Sequence, residues 1–200
     1  TEMLALRAQM NPHFLFNSLN SINNFILKSD TENASEYLTR FSKLMRMILD
    51  NSRQDWVLLE NELKALKLYL ELESVRLKNA FSYRLVVDES VNPVSEQVPP
   101  MLVQPYVENA IWHGLLNRQE PGGMLLLHIA ANDGGLRICV EDNGVGRKEA
   151  AQLKSKFQSH KKSHGMQITA ERIDIINRTY PVHISVHITD VLDHDAIAGT

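Results

Sequence analysis

Two hundred residues suffice for one or two domains with a sizeable core, and 44% hydrophobic against 22% charged content is ordinary for a globular chain. A net charge of −3 argues against a nucleic-acid partner, and no run of about 18 apolar residues is present to span a membrane. The single cysteine, Cys139, excludes an internal disulfide framework and fits a reducing compartment. Its neighbours Leu136, Ile138 and Val140 mark it as a strand residue, a structural thiol and not a nucleophile. No signal peptide opens the chain, and Leu4 and Leu6 already follow a helical pattern without a start signal, so a fragment lacking its upstream part is expected.

Residues 3–28 are predicted to be helical, with a break near Pro12, which cannot donate to the backbone ladder. Asn11 can cap the restart and Pro12 can be its first residue. At about 100° per residue, Leu15, Leu19, Ile22 and Ile26 form one apolar stripe, while His13, Asn17, Asn20 and Asn24 lie opposite. His13 should therefore face water or a partner, away from the packed seam. Ser29-Asp30-Thr31 is a turn with Asp30 or Thr31 as cap, and residues 32–52 form a second helix carrying Leu38, Phe41, Leu44, Met45, Ile48 and Leu49. Such a hairpin exposes much apolar surface, so a dimeric four-helix bundle is expected, the alternative being packing on the rest of the same chain. Asn51–Asp55 is a polar linker, followed by a third helix over 58–78 with Leu59, Leu63, Leu66 and Leu70 as core.

After Asn79 the pattern becomes mixed. Tyr83–Val87 is strand-like, and Asn92-Pro93 and Pro99-Pro100 bracket a loop before a helix over 101–115. Met124–Ala131 and Leu136–Glu141 flank Asn132-Asp133-Gly134-Gly135, a strong hairpin signal. A short helix over 147–157, a Lys/Ser/His loop over 158–164, a helix over 166–178 and a strand over 183–190 complete the order. The fold class is α+β: a helical hairpin, then an α/β sandwich with a mixed sheet and helices on one face. The expected division is 1–55 as dimerisation helices, 56–79 as a connecting helix and 80–200 as the second domain.

Three stretches carry chemistry. Asp142-Asn143-Gly144-Val145-Gly146 ends a strand with a carboxylate that can accept from an exocyclic amine, beside glycines that let backbone approach a ligand closely. Within Gln104–Gly114, Glu108, Asn109 and His113 are polar on an apolar helix, and Asn109 and His113 share a face. An amide oxygen suits Mg²⁺, which keeps several waters and takes few protein ligands. Lys154, Lys156, Lys161 and Lys162 precede His164-Gly165-Met166 at a helix start, a setting that favours phosphate. The bland readings are a strand-ending turn, a sheet-capping helix and a solvated lysine face. The first two motifs occurring together weigh against the first two of these.

With these motifs in order, the chain resembles the cytoplasmic kinase core of LytS-type bacterial sensor histidine kinases, which carry a Bergerat-fold ATPase domain. Gln9–Asn20, with Asn-Pro-His-Phe-Leu-Phe-Asn intact, is similar to the family's phosphoacceptor box. The resemblance implies His13 as the phosphorylated residue, Glu108 as catalytic carboxylate, Asn109 as Mg²⁺ ligand and Asp142 as the adenine-holding group. It places Gly144 and Gly146 in a first glycine box and Gly165–Ile168 in a second. His113, Lys162 and Thr200 would complete the nucleotide site, Gly199-Thr200 opening a final strand. Four departures stand out: Trp112 occupies a position where many histidine kinases have a phosphate-holding lysine, Gln167 replaces the second box's other glycine, the sequence stops at Thr200 where the family would be expected to continue into one more strand, and Phe14 replaces an acidic neighbour of the histidine. The lid lysines would compensate for the first two.

The implied function is ATP- and Mg²⁺-dependent autophosphorylation of His13, then transfer to an aspartate of a response regulator. The implied partners are a second copy of the chain and a receiver domain, at the cytoplasmic side of the inner membrane beneath an upstream sensor or membrane region. The alternatives are a Bergerat-fold ATPase in which Glu108 activates water, and a degenerate kinase serving as a dimeric scaffold. Zinc is a weaker idea: His183 and His187 share a strand face but lie roughly 13 Å apart, and His160 and His164 lack a third ligand.

Overall fold

In a computed structural model the described residues are 12–146 and 164–190, with side chains described from 166 in the second stretch. Three helices come first: α1 (Pro12–Leu27), α2 (Thr31–Ser52) and α3 (Leu59–Arg76). Asp30 caps α2, its carboxylate accepting from the Asn33 N–H at 3.3 Å, and Ser29 reverses the chain at φ 58°. The two-residue strand β1 (Val57–Leu58) pairs antiparallel with β3 (Gln97–Val98), placing Val57 opposite Val98. Strands β2 (Phe81–Val87), β4 (Gly123–Asn132) and β5 (Gly135–Asp142) form a sheet in the order β2-β4-β5. The remaining described helices are α4 (Gln104–Asn109), which runs on through a π-helical turn at Ala110–Gly114 and a 3-10 turn at Leu115–Asn117, and α5 (His164–Thr179).

The described chain sorts into two compact units. One holds the described residues up to Ala80 with Val87–Gln104 and Ile129–Arg137; the other holds Phe81–Val86, Pro105–His128 and the described residues from Ile138 onward. In the first, aromatic rings tie the helices together: Phe14 lies 5.0 Å from Tyr69 and 6.2 Å from Phe41, and Phe25 lies 6.1 Å from Tyr37. Leu44, Ile48, Leu66 and Leu70 fill the space between. Each fully buried aliphatic side chain contributes about 1.5–3 kcal/mol, whereas the exposed Arg40–Glu36 pair at 2.5 Å contributes under about 1 kcal/mol. Apolar packing therefore holds these helices together.

That packing corrects the expected seam. Phe14, Ser18 and Ile22 are the buried residues of α1. Leu19 and Ile26 remain 52% and 58% exposed, and Leu15 is half-buried. The Tyr37 hydroxyl donates to Ser18 Oγ at 3.4 Å, which lets a serine sit inside the seam. The third helix packs against α2, the packing on the same chain given above as the alternative to a dimeric four-helix bundle. Of the expected leucine face, Leu59, Leu66 and Leu70 are buried and Leu63 is half-buried, and the buried surface also includes Glu62 and Glu73.

In the sheet, β4 alternates as its sequence demands, with Leu125, Leu127 and Ile129 buried. The β4–β5 reversal uses Asp133 and Gly134 at φ 41° and 81°, the left-handed pair that a two-residue hairpin needs. Ser82 Oγ bonds Gly123 O and Asp88 N bonds Ile129 O, a constant offset that makes β2 and β4 parallel and the sheet mixed. Among the described residues, the strand expected over 183–190 is not formed as part of a sheet. Instead the Asn177 amide takes both backbone groups of Ile184, accepting from its N–H and donating to its carbonyl at 2.8 Å each, and so stands in for a neighbouring strand. The helix expected over 101–115 begins only at Gln104, because Pro99 and Pro100 precede a Met101 at φ 55°, outside helical backbone. The short helix over 147–157 and the lysine loop over 158–164, apart from the start of α5, lie outside the described residues.

Candidate nucleotide site

The site is built where the end of β5 meets the end of the α4 segment. The π-helical turn at Ala110–Gly114 adds a residue to the helical circuit, which tightens into a 3-10 turn at Leu115–Asn117 directly after Gly114. Asn117 Nδ2 donates to the His113 carbonyl at 2.9 Å, closing the turn. Gly114 then lies directly against Asp142: a methyl group added at Gly114 would sit 2.3 Å from Asp142 Oδ1. One added at Gly144 would sit 2.4 Å from the Gly114 backbone. Only glycine at both positions allows this approach.

Asp142 Oδ1 accepts from the Gly144 N–H at 2.9 Å, and among the described residues no donor engages Oδ2. Burial pushes the Asp142 carboxyl pKa above its ordinary 3.8; the Gly144 N–H opposes this and the Asp190 charge reinforces it. The motif is anchored from below by Asn143. Its Oδ1 accepts from Met124 N at 2.7 Å, its Nδ2 donates to Gly122 O at 3.0 Å, and Arg118 donates to its backbone carbonyl. Gly146 takes φ 77°, a left-handed backbone that favours glycine.

Glu108 and Asn109 lie half-buried in the last turn of α4, with His113 and Trp112 half-buried in the π-helical turn. Among the described residues no hydrogen bond engages the Asn109 amide, so its oxygen keeps a ligand's capacity. The described residues hold no cluster of three His, Cys, Asp or Glu side chains spaced for an ion. The donor set thus suits a Mg²⁺ that draws on phosphate oxygens and one amide, and the close backbone approach around Asp142 suits a flat amine-bearing base. Gln167, the departure in the second glycine box, is exposed on α5 and bonds Glu171 at 3.4 Å. Gly165 falls in α5 but its surroundings, together with Lys162 and Thr200, lie outside the described residues.

His13 belongs to the other unit. It is exposed in the first turn of α1, and the Asn17 amide nitrogen lies 3.0 Å from its Nδ1. Exposure on the polar side of the helix is what the asparagine stripe predicted. Sequence reasoning passed over three contributors: Gly114, Asn143 and Arg118. The first two stand inside the quoted motifs, but their work is steric and backbone-directed, which residue type alone does not reveal.

Residues 1–81 match the histidine kinase family. That match covers the three helices α1, α2 and α3. The "Sensor protein LytS" of Bacillus anthracis is 31% identical over 194 residues, covering 94% of this chain and 32% of that protein. That of Enterococcus faecalis is 36% identical over 152 residues, or 76% of this chain and 25% of the relative. The "Sensor histidine kinase/phosphatase LytS" of Staphylococcus aureus is 37% identical over 145 residues, or 72% and 24%. The chain belongs to the LytS-type sensor histidine kinases. It spans about a third or less of the length of these curated relatives.

Proposed function

We propose that this chain is the kinase core of a two-component sensor, phosphorylating its own His13 from ATP and passing the phosphoryl group to an aspartate of a response regulator. The observation that carries the reading is the Gly114–Asp142–Gly144 cradle, which leaves one carboxylate oxygen available beside backbone that no side chain obstructs. Asp142 would accept from the adenine amine, Asn109 would give its amide oxygen to Mg²⁺, and His113, Gly144, Gly146, Lys162, Gly165 and Thr200 would complete the nucleotide site. Bound Mg²⁺·ATP supplies the transferable phosphoryl group and the metal charge that offsets its negative oxygens. The Asn17 amide nitrogen, 3.0 Å from Nδ1 and 3.4 Å from Nε2 of His13, orients the imidazole, a ring nitrogen of which would take the phosphoryl group. Glu108 is the carboxylate that would polarise the attack.

The fold assignment within this reading is a Bergerat-type ATPase over residues 80–200, a connecting helix over 56–79 and dimerisation and phosphotransfer helices over 1–55. The exposed Leu19 and Ile26 on α1 support a homodimeric four-helix bundle, because a water-facing apolar stripe on a helix is a surface for another helix. No helix among the described residues is long and apolar enough to cross a membrane. We place this core on the cytoplasmic side, tethered by a sensor region outside the sequence. The test is incubation with γ-labelled ATP. Acid-labile, base-stable label that disappears with His13→Gln and with Asn109→Ala supports the reading. Label that survives His13→Gln overturns the phosphoacceptor, and label that survives Asn109→Ala overturns the metal ligand.

A further inference from the structure

The loop over residues 91–101 is fastened to the start of α3 at four places. The Leu59 N–H donates to Glu96 O at 2.8 Å and the Glu60 N–H to Pro93 O at 2.9 Å, so loop carbonyls satisfy N–H groups that every helix start leaves open. Val57 pairs with Val98 in the small sheet. The fourth fastening is a side chain. Glu62 is 3% exposed, and its Oε2 accepts from the Met101 N–H at 2.8 Å.

Two features set this fourth bond apart from ordinary packing. A carboxyl group is costly to bury and is kept inside only where donors meet it. Met101 holds φ 55°, a left-handed backbone that side chains other than glycine rarely adopt and that persists where surroundings enforce it. The buried acceptor and the strained residue answer each other: the bond needs the Met101 N–H turned inward, and that turn needs the left-handed backbone. Three residues after Met101 the chain enters α4, which carries Glu108 and Asn109. The two intervening residues, Leu102 and Val103, leave little slack.

We propose that Glu62 is a positioning residue for the nucleotide site, holding Met101 in its left-handed conformation and so setting where α4 begins. The inference rests on the kinase reading above. Glu62 touches no substrate; it acts through the backbone of Met101. Its effect should fall on nucleotide capture and leave the phosphoryl step itself unaltered, because His13 and its helix are not held by this bond.

The experiment compares Glu62→Leu, which keeps volume and removes the acceptor, with Glu62→Gln, which keeps an acceptor oxygen. Each variant is checked for helix content by circular dichroism and then labelled with γ-labelled ATP over a concentration series. For folded Glu62→Leu the ATP concentration for half-maximal labelling should rise by roughly tenfold, the effect of losing one hydrogen bond to a charged group. The rate at saturating ATP should stay near that of the parent, and Glu62→Gln should restore the parent's half-maximal concentration. An unchanged concentration in folded Glu62→Leu overturns the inference. Amide hydrogen exchange on the parent chain provides a second readout that needs neither variant nor nucleotide. The Met101 N–H should exchange far more slowly than the N–H groups of Glu89 and Ser90 in an exposed turn, and equal rates overturn the inference. A parent chain that takes up no label at all counts against the kinase reading, while the exchange result still decides whether Glu62 holds Met101.

Discussion

Gly114 and Asp142 approach so closely that a single methyl group on the glycine would lie 2.3 Å from the carboxylate oxygen. A strand end and a helix end are thereby locked together by the absence of a side chain. Gly114→Ala and Gly144→Ala should separate accordingly. The first meets the movable end of a side chain, so the protein should fold with Asp142 displaced and adenine-nucleotide affinity reduced at least tenfold. The second meets the Gly114 backbone, which cannot swing aside, and should cost about 1–3 kcal/mol of stability as overpacking does. Thermal melting and titration with a fluorescent ATP analogue distinguish the two.

The raised pKa of Asp142 carries a sign. Above the ordinary value of 3.8 and up to the raised folded value, the folded protein holds a proton that the unfolded chain has lost. Stability therefore falls as pH rises through that window, and Asp142→Asn should remove this component of the pH profile. Nucleotide affinity should run the other way, strengthening as pH rises through the same window, because an ionised carboxylate accepts better from an amine. Melting and binding measured across the window check both slopes.

Phe14 and Phe16, two positions apart on α1, should behave oppositely. Phe14 is buried against Phe41 and Tyr69, and Phe14→Ala should cost about 3–5 kcal/mol in urea unfolding. Phe16 is 67% exposed, and Phe16→Ala should leave the unfolding of a single chain within about 0.5 kcal/mol. If α1 forms the proposed dimer surface, Leu19→Ser with Ile26→Ser should shift sedimentation towards monomer. Unaltered self-association would place the dimer contact elsewhere.

Arg76 clasps the buried Glu73 through two bonds, at 2.9 and 2.6 Å. Arg76→Met should cost about 3–5 kcal/mol by stranding a carboxylate inside α3's packing. Adding Glu73→Gln should recover part of that loss, a coupling that a double-mutant cycle reads directly.

Much of this could be anticipated from residue order. The α2 cap at Asp30, the Asp133-Gly134 hairpin and the alternation along β4 follow from interactions among residues a few positions apart, and the structure shows all three. The same holds for the exposed His13, since the asparagine spacing defines a polar face wherever the helix docks. The buried side of α1 was not legible. Leu15, Leu19 and Ile26 scored as core by type, yet Phe14 and Ser18 are inside, because Tyr37 and Tyr69 supply a ring contact and a hydroxyl on that side.

The chain order alone, then, determined the inventory: a histidine on a polar helix face, an asparagine-bearing helix, an aspartate-glycine strand end, and the local turns between them. Each depends on neighbours a few residues away, where helical and strand periods apply. Tertiary structure decided the rest. It placed Gly144 against Gly114, buried Glu62 under the Met101 N–H, and, among the described residues, gave 183–190 no strand partner, their Ile184 bonded to a side chain instead. These outcomes depend on which distant surface arrives, since a buried acceptor, a close backbone approach and a strand edge each need a partner supplied from elsewhere in the chain.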